Sequence, residues 1–288
     1  MLLRYLLCTC GPALLFTCGS ADLPRKFPLP MEVREASGLV IDDDRMIWHN
    51  DSGDGPYLYT TDMAGHLLRI DTLNARASDY EDLTADSEGR LYVGDFGNNR
   101  GLRMQETIYR YDRESGQTDS IQYTYPRQDG KGIDRPGNYN CEAMVEADGQ
   151  LHLFTKAELR GERDYYLYHF RLPAEPGTYV AELVDSLYLP RRVVTGAALD
   201  KDKRELFLVA YNFKMLLGKL PTSAASLVKL SEYEGDRFLS GKVSRRNISW
   251  AIPTQLEAVA IYDDEYLYVG AEATRIRRHA IGRRVRRW

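Results

Sequence analysis

Apolar and polar residues alternate along most of the chain in short runs, the period-two pattern that predicts β-strands with one buried face. One apolar run recurs, and each copy leads through an acidic or glycine-bearing turn into an aromatic strand. The copies begin at Glu35, Glu81, Glu142, Thr195 and Glu257. Strand-rich copies spaced by roughly 45–60 residues predict an all-β fold of the β-propeller type.

Each repeat divides into four antiparallel strands, A to D from the axis outwards. In the first repeat, A is Ala36–Ile41 and B is Met46–Asn50. The copies predict five blades, and six is the alternative because the fourth repeat is long enough to contain two. Its outer strands are assigned to Leu227–Tyr233 and Lys242–Trp250. We expect Phe213–Ser226 to form an irregular insert.

The two ends of the chain determine how the ring closes. We expect the third strand of the fifth repeat at Thr274–Ala280, and two segments compete for its outermost strand, Val285–Trp288 and Lys26–Val33. The second choice would tie both termini into one blade and protect the edges of the array. The predicted organisation is a single propeller domain over residues 35–288, preceded by a linker or closing strand over residues 22–34.

The first 21 residues have the composition of an export leader, with an apolar stretch too short to span a membrane. The segment Leu15–Cys18 resembles a bacterial lipobox, which would leave Cys18 lipidated as the new N-terminus. Cleavage after Ala21 and an uncleaved anchor are the alternatives. The leader predicts a cell-envelope protein, associated with the outer membrane or secreted.

Composition narrows the classes of partner and cofactor. The chain of 288 residues has a formal net charge of −4, which argues against a nucleic-acid partner. Of its 4 cysteines, Cys8 and Cys10 lie in the leader, so the mature chain keeps Cys141 and, if lipidated, Cys18. This count excludes a disulfide framework and a metal site built on thiolates. We expect a monomer.

Two stretches, Glu35–Tyr59 and Glu81–Asn99, carry a family resemblance, most specifically in the string Gly94-Asp-Phe-Gly-Asn-Asn99. The chain resembles exported β-propeller lipoproteins of Bacteroidetes and is more loosely similar to SdiA-regulated (YjiK-like) and NHL-type propellers. The resemblance implies a propeller in the cell envelope and brings no established reaction. Propellers of the regucalcin and gluconolactonase type share the architecture and hold a divalent metal in the central channel. The likeness to them is one of fold alone, so it does not carry their chemistry over to this chain.

Strands A and B are antiparallel, so the start of A and the end of B lie at the same end of each blade. One face of the ring should therefore gather carboxylates and amides around the channel mouth. Ca²⁺ and Mg²⁺ prefer such oxygen ligands, and the candidate ligands are Glu35, Asp51, Glu142 and Glu257. The other candidates on this ligand-binding face are His49, Asn50, Glu81, Asp82, Asp95, Asn98, Asn99, Lys156, Asn212 and Glu272, with Asp51 shared.

Three interpretations of the repeated glutamates stay open. They could bond to the backbone of a neighbouring blade, hold a hard cation, or act as catalytic acids and bases. We predict a binding or scaffolding module whose acidic face holds a small ligand or an envelope protein. The alternative is a divalent-metal-dependent hydrolase of the lactonase or esterase type.

Two further segments could contact partners. The polar loop Arg127–Asn140 is long enough to be a binding loop. The arginine-rich segment Arg275–Trp288 is either an edge strand with a solvated face or a contact for anionic lipid.

Overall fold

The computed structural model describes residues 23–157, 165–216, 220–248, 255–274 and 277–288, without the side chains of residues 213–223. Within these ranges the chain forms five small sheets arranged in a ring, a five-bladed β-propeller, as the repeats predict. The predicted leader, including Cys18, and the start of the predicted linker lie outside the described residues. None of the described helices has the length and apolar character needed to cross a membrane.

The strands are numbered β1 to β21 along the chain. The first blade contains β2 (Ala36–Asp42), β3 (Arg45–Asn50), β4 (Tyr57–Asp62) and β5 (Leu67–Thr72). The second contains β6 (Tyr80–Ala85), β7 (Leu91–Asp95), β8 (Glu106–Tyr111) and β9 (Thr118–Thr124). The third contains β10 (Cys141–Ala147), β11 (Gln150–Thr155), β12 (Tyr166–Pro173) and β14 (Glu182–Tyr188). Between the last two strands, β13 (Gly177–Val180) crosses to the second blade and pairs in parallel with β9.

The fourth blade contains β15 (Val193–Asp200), β16 (Glu205–Leu216), β17 (Leu220–Ser231) and β18 (Lys242–Asn247), with a 3₁₀ turn at Phe238–Ser240 before its last strand. The fifth contains β19 (Leu256–Ile261), β20 (Tyr266–Ala271), β21 (Ile281–Arg286) and, as its outermost strand, β1 (Lys26–Pro28). The five innermost strands contact one another in sequence, and β19 contacts β2 to complete the ring.

Apolar side chains pack in five clusters of described residues, and each cluster lies between two adjacent blades. Between the first and second blades, for example, Ile47 and Leu58 pack with Leu83 and Val93. Because each blade has a neighbour on both sides, its strands bury both faces near the axis. The core is therefore a ring of interfaces, and each blade depends on the next.

The N-terminal strand closes the ring, as the second of the two closure hypotheses states. Strand β1 pairs antiparallel with β21, and Phe27 inserts its ring into the interface with only 3% of its surface exposed. A Cβ at Gly65 or Gly282 would collide with this ring, so both glycines provide the space that it occupies. The expected strand at Thr274–Ala280 is wrong, because the third strand of this blade is Ile281–Arg286.

The long fourth repeat contains an extended hairpin and no sixth blade among the described residues. Strands β16 and β17 pair without interruption to Leu216 and Leu220, so the irregular insert expected at Phe213–Ser226 is wrong. Apolar residues follow one another in this segment and do not alternate, so the sequence pattern gives no strand period there. The outer strand expected at Lys242–Trp250 ends at Asn247.

The arginine-rich C-terminal segment is not an edge strand. Its residues Ile281–Arg286 form β21, which lies between β20 and β1, and Arg287 just after it is only 6% exposed. This arginine reaches Asp200 at 2.6 Å and Glu205 at 3.0 Å in the fourth blade. It thereby ties the last blade to its neighbour.

Substitution of Phe27 tests the closure. We expect Phe27→Ala to lower the free energy of unfolding by about 3–5 kcal/mol, because it leaves a cavity where the two ends of the chain meet. Urea denaturation of the purified protein measures the change. Lys26→Ala, at an exposed position of the same strand, is the control and should shift stability by less than about 0.5 kcal/mol. Equal effects of the two substitutions would contradict closure by Phe27.

Candidate functional site

Each innermost strand carries a β-bulge close to its first residue. In β6, for example, Tyr80 pairs with Asp95 and Asp82 with Gly94, so Glu81 between them has no partner across the ladder. A bulge re-aims the side chain of the extra residue. The same shift of register occurs in all five innermost strands, and the bulged residues are Ser37, Glu81, Glu142, Thr195 and Glu257.

The bulges give the repeats a different alignment from the one expected. The first repeat places Ser37, and not Glu35, at the position of the glutamates, and Glu35 is an exposed residue just before the strand. Ser37 donates a hydrogen bond of 2.7 Å to the carbonyl of Glu81, and Thr195 donates one of 2.6 Å to the carbonyl of Leu256. The two hydroxyls thus join neighbouring blades, the structural role that was one interpretation of the glutamates.

Five carboxylates, here called the acidic centre, converge where the innermost strands begin. One oxygen from each of Asp51, Glu257 and Glu272 lies within 4.8 Å of the others, and the same holds for Asp51, Asp79 and Glu81. Glu81 and Glu257 are 4% and 6% exposed, so they contribute from inside the ring. Asp51 belongs to both groups and therefore occupies the middle of the acidic centre.

Electrostatic repulsion in the acidic centre is strong. Burial, followed by repulsion from Asp79 and Glu257, raises the pKa of Asp51 to about 8. Burial and the neighbouring Glu142 raise the pKa of Glu81 well above its usual range. Burial and Glu272 do the same to Glu257. Asp51 Oδ1 is buried and accepts no hydrogen bond from the described residues.

The ammonium group of Lys156 lies beside the acidic centre. Lys156 Nζ donates to Glu142 Oε1 at 2.7 Å, and Asn140 Nδ2 donates to the same oxygen at 2.6 Å. Burial alone would lower the pKa of Lys156, but attraction to Glu142, Tyr211 and Glu81 outweighs burial and raises it. Glu142, an expected metal ligand, is thus already paired, and it belongs to neither group of three carboxylates.

The string Gly94–Asn99 packs against one side of the acidic centre. Asp95 accepts the backbone N–H groups of Ser78 and Asp79 and binds Arg103 Nη2 at 2.7 Å. Gly97 lies against the carboxylates, because a Cβ at this position would collide with Glu81 and Asp79. The loop therefore holds the backbone of Asp79 through Asp95 and packs against its carboxylate at Gly97.

Both asparagines of this string are engaged within the protein. Asn98 Oδ1 accepts the backbone N–H groups of Leu102 and Arg103, and Asn99 Oδ1 accepts Asn140 Nδ2 at 3.2 Å. Asn140 also holds Glu142. The polar loop that ends at Asn140 therefore contacts Glu142 and the string Gly94–Asn99, both of which lie beside the acidic centre.

The remaining predicted residues lie near the site in other roles. His49 is fully buried, and burial lowers its pKa to about 4, so it stays neutral at physiological pH. Asn50 binds Asp54 at 2.6 Å and the carbonyl of Glu32. Asp82 accepts the backbone N–H groups of Leu83 and Met144 and so joins two innermost strands. Asn212 lies on the extended hairpin, opposite Ala224.

Sequence reasoning missed Asp79 and did not select Tyr211. Asp79 precedes its strand and follows no repeat pattern, so only the folded structure places its carboxylate beside those of Asp51 and Glu81. Tyr211 lies across from the start of β15, and burial, with Glu142 and Glu257 nearby, raises its pKa to about 12 although Lys156 opposes the shift. The pairing of strand ends A and B contained a signal for Tyr211.

Comparisons with known proteins establish the fold alone. No family model matches the chain, and no curated protein matches it. An exo-β-1,3-galactanase from Clostridium thermocellum is similar, with a TM-score of 0.59 and 10% identity over 91% of this chain and 63% of that one. A glycosyl hydrolase from Bacteroides ovatus has a TM-score of 0.53 and 11% identity, over 90% of this chain and 88% of that one. An α-L-arabinanase from Penicillium chrysogenum has a TM-score of 0.51 and 11% identity, over 90% and 96%.

The raised pKa of Asp51 predicts how stability depends on pH. Between the ordinary value of 3.8 and about 8, the folded protein holds a proton that the unfolded chain releases. Stability in the presence of a chelator should therefore fall as the pH rises through this interval. Asp51→Asn should remove part of this slope and raise stability at pH 8 by about 1–3 kcal/mol, because the neutral amide carries no charge for Asp79 and Glu257 to repel.

Chemical denaturation with EDTA at a series of pH values measures this dependence. Asp134→Asn, at an exposed position of the polar loop, is the control with the same change of charge and should leave the slope unaltered. A loss of stability at pH 8 in Asp51→Asn would show that Asp51 is a structural acceptor, contrary to the prediction.

Proposed function

We propose that this propeller is a binding module that holds a divalent cation, Ca²⁺ or Mg²⁺, at the acidic centre and uses it to capture a ligand at the channel mouth. The observation that supports this most directly is Asp51, which is shared by both groups of three carboxylates. Its buried Oδ1 has no hydrogen-bond donor among the described residues. A cation would satisfy that oxygen and relieve the repulsion around it.

The donor set fits a hard cation. Calcium takes 6–8 oxygen ligands at about 2.3–2.6 Å, so ligand oxygens around one ion lie up to about 5 Å apart. The carboxylate oxygens of the two groups meet this limit before any rearrangement, at 4.8 Å or less. Carboxylates bind mono- or bidentately, so the acidic centre and a few waters are enough to complete the sphere.

The charge balance also favours a cation. Among the described residues, the cations nearest to Asp51, Asp79, Glu81, Glu257 and Glu272 are Lys156, Arg103 and Arg277. Glu142 already neutralises Lys156, and Asp95 and Glu106 pair with Arg103, which leaves Arg277 beside Glu272 against five carboxylates. Without a counter-ion, several of these carboxyls must stay protonated at physiological pH. A bound cation lets them ionise together, so binding should release protons.

The position of the acidic centre suits capture of a ligand from solvent. Glu35 is exposed and Asp51 and Glu272 are half-buried, whereas Glu81 and Glu257 lie deeper. A cation bound between the half-buried pair, Asp51 and Glu272, and the deeper pair, Glu81 and Glu257, would keep one coordination position facing solvent. An anionic or hydroxyl-bearing ligand would occupy that position. Such a site binds without requiring any change in the propeller itself.

Metal-assisted hydrolysis is a second candidate, favoured by the pair Lys156–Glu142 beside the acidic centre. A divalent ion would supply a bound water of lowered pKa. Glu81, whose pKa is raised, is suited to accept a proton from that water, and Lys156 can stabilise negative charge that develops on the substrate. Glycosides belong among the test substrates because several proteins of similar fold have names that describe glycoside cleavage.

Calorimetric titration of chelator-treated protein with CaCl₂ or MgCl₂ tests the cation site. We expect a single site, and we expect Glu257→Gln to weaken binding at least about tenfold, equivalent to about 1.4 kcal/mol. Glu232→Gln, at an exposed glutamate of the fourth blade, is the matched control and should bind as the wild type does. No heat of binding for either cation in the wild type would refute the proposal.

Gly97→Ala gives a second test of the same site without a change of charge. The added methyl group should displace Glu81 and Asp79 and weaken cation binding. Gly89→Ala, at a surface turn with positive φ and open space around it, is a control for the loss of a loop glycine. Equal cation affinity of Gly97→Ala and wild type would place the cation away from Asp79 and Glu81.

Turnover distinguishes the two candidate functions. As a binding module, the calcium-loaded protein should leave nitrophenyl esters, lactones and nitrophenyl glycosides intact. Product release would establish the hydrolase if it requires the cation and is lost in a folded Glu81→Gln variant. The same result would overturn the proposal that the protein only binds its ligand. Activity that survives in Glu81→Gln would come from another site or a contaminant.

A further inference from the structure

A second polar pocket lies at the rim between the fourth and fifth blades, with a volume of about 600 Å³. It is formed by the ends of β18 and β21, the start of β20 and the residue before β1. Five of its lining side chains are arginines, and no acidic residue lines it within the described part of the chain. We call it the arginine pocket, after Arg25, Arg246, Arg283, Arg284 and Arg286.

Only some of these arginines have partners that balance their charge. Arg286 reaches Glu265 at 3.2 Å, and the guanidinium of Arg284 lies 4.6 Å from the centre of the Tyr266 ring. Arg283 Nη1 donates to the carbonyl of Ile248 at 2.7 Å, which is a neutral partner. Among the ion pairs of the described residues, none involves Arg25, Arg246 or Arg283.

Arg246 carries the most specific signal. Its Nε and Nη2 atoms are buried and donate no hydrogen bond to any described residue. The guanidinium lies 5.1 Å from the centre of the Trp288 ring, a cation–π contact that holds it in place. A guanidinium that lines a pocket and is fixed by an aromatic ring, but has two donors without a partner among the described residues, is prepared for an acceptor that comes from outside the protein.

The neighbouring charges repel one another. Burial and then Arg283 lower the pKa of Arg246, and burial and then Arg25 lower that of Arg283. Guanidinium groups nevertheless stay charged in proteins. Bringing these guanidinium groups together without a carboxylate therefore destabilises the folded protein, and a bound anion would offset the repulsion between them.

We propose that the arginine pocket binds a multiply charged oxyanion, a phosphate or sulfate group carried on an organic molecule. Guanidinium forks match the oxygens of such groups with paired, charge-assisted hydrogen bonds. A pocket of about 600 Å³ is far larger than one inorganic phosphate, and Ile248 and Val285 offer apolar contact to the remainder of the ligand. The same chemistry is present in soluble phosphate esters and in anionic lipid headgroups.

Binding of pyrophosphate to the full chain tests the site, and the test is independent of the acidic centre because EDTA is present throughout. We expect pyrophosphate to raise the Tm of the wild type and to give a measurable Kd by calorimetry. Arg246→Gln and Arg283→Gln should each weaken binding at least about tenfold. Arg45→Gln, at an exposed arginine of the first blade, makes the same change in net charge and should bind as the wild type does.

The stability of the ligand-free variants separates binding from a structural role. Because Arg246 is repelled by its neighbours and leaves buried donors unused, Arg246→Gln without ligand should be at least as stable as the wild type. Arg246→Lys, which keeps the charge without the fork, should bind pyrophosphate with intermediate affinity. Equal weakening by Arg45→Gln, or no binding of pyrophosphate to the wild type, would overturn the proposal.

Vesicles distinguish the two sources of the ligand. If the ligand is a lipid headgroup, the protein should sediment with phosphatidylglycerol vesicles, and both pyrophosphate and Arg246→Gln should release it. If the ligand is soluble, pyrophosphate should bind while the vesicles do not sediment the protein. Sedimentation that Arg246→Gln leaves unchanged, without pyrophosphate binding, would place membrane contact elsewhere and count against the pocket.

Discussion

The bulge near the start of each innermost strand determines what this propeller presents at its axis. One residue per blade leaves the ladder of hydrogen bonds, and its side chain no longer follows the alternation of the strand. A long side chain at that position points toward the channel mouth, and a short hydroxyl reaches the next blade. Two of the five carboxylates of the acidic centre, Glu81 and Glu257, therefore depend on the choice between glutamate and hydroxyl at equivalent positions, on a backbone that is common to all five blades. The other three, Asp51, Asp79 and Glu272, lie just outside the strands.

Much of the architecture could be predicted from the sequence because it depends on periodic, local patterns. The repeats, the hairpin turns and the pairing of strand ends A and B follow from alternation and turn composition. The closing strand followed from the need to cover an exposed edge. The extended hairpin could not be predicted, since residues 213–223 lack an alternating sequence pattern, and backbone pairing holds Phe213–Leu216 to Leu220–Ser223.

The candidate site was predicted only in part. Asp51, Glu81, Glu257 and Glu272 follow from the convergence of strand ends, and the structure brings them together. Glu35 was misaligned by two residues because the repeats were matched glutamate to glutamate, whereas the bulged residue of the first blade is Ser37. Asp79 and the arginine pocket depend on contacts between distant segments, and no local pattern records such contacts.

Positive and negative charges lie in separate regions of the molecule, although the formal net charge is only −4. Carboxylates collect at the axis, where the strands converge and water is scarce, and arginines collect at the rim of the last blade. Both sites hold like charges at close range without full compensation. This repulsion lowers the stability of the folded state, and binding of a ligand of opposite charge would raise it again.

Closure by the N-terminal strand imposes an order on biosynthesis. The segment Lys26–Pro28 leaves the ribosome long before its partner Ile281–Arg286. Until Ile281–Arg286 has been made, the fifth blade lacks its two outer strands, and Lys26–Pro28 has no strand to pair with. Because β1 and β21 lie side by side in the folded protein, a linker that joins the chain before β1 to the chain after β21 would permit circular permutation, with new termini in a hairpin turn.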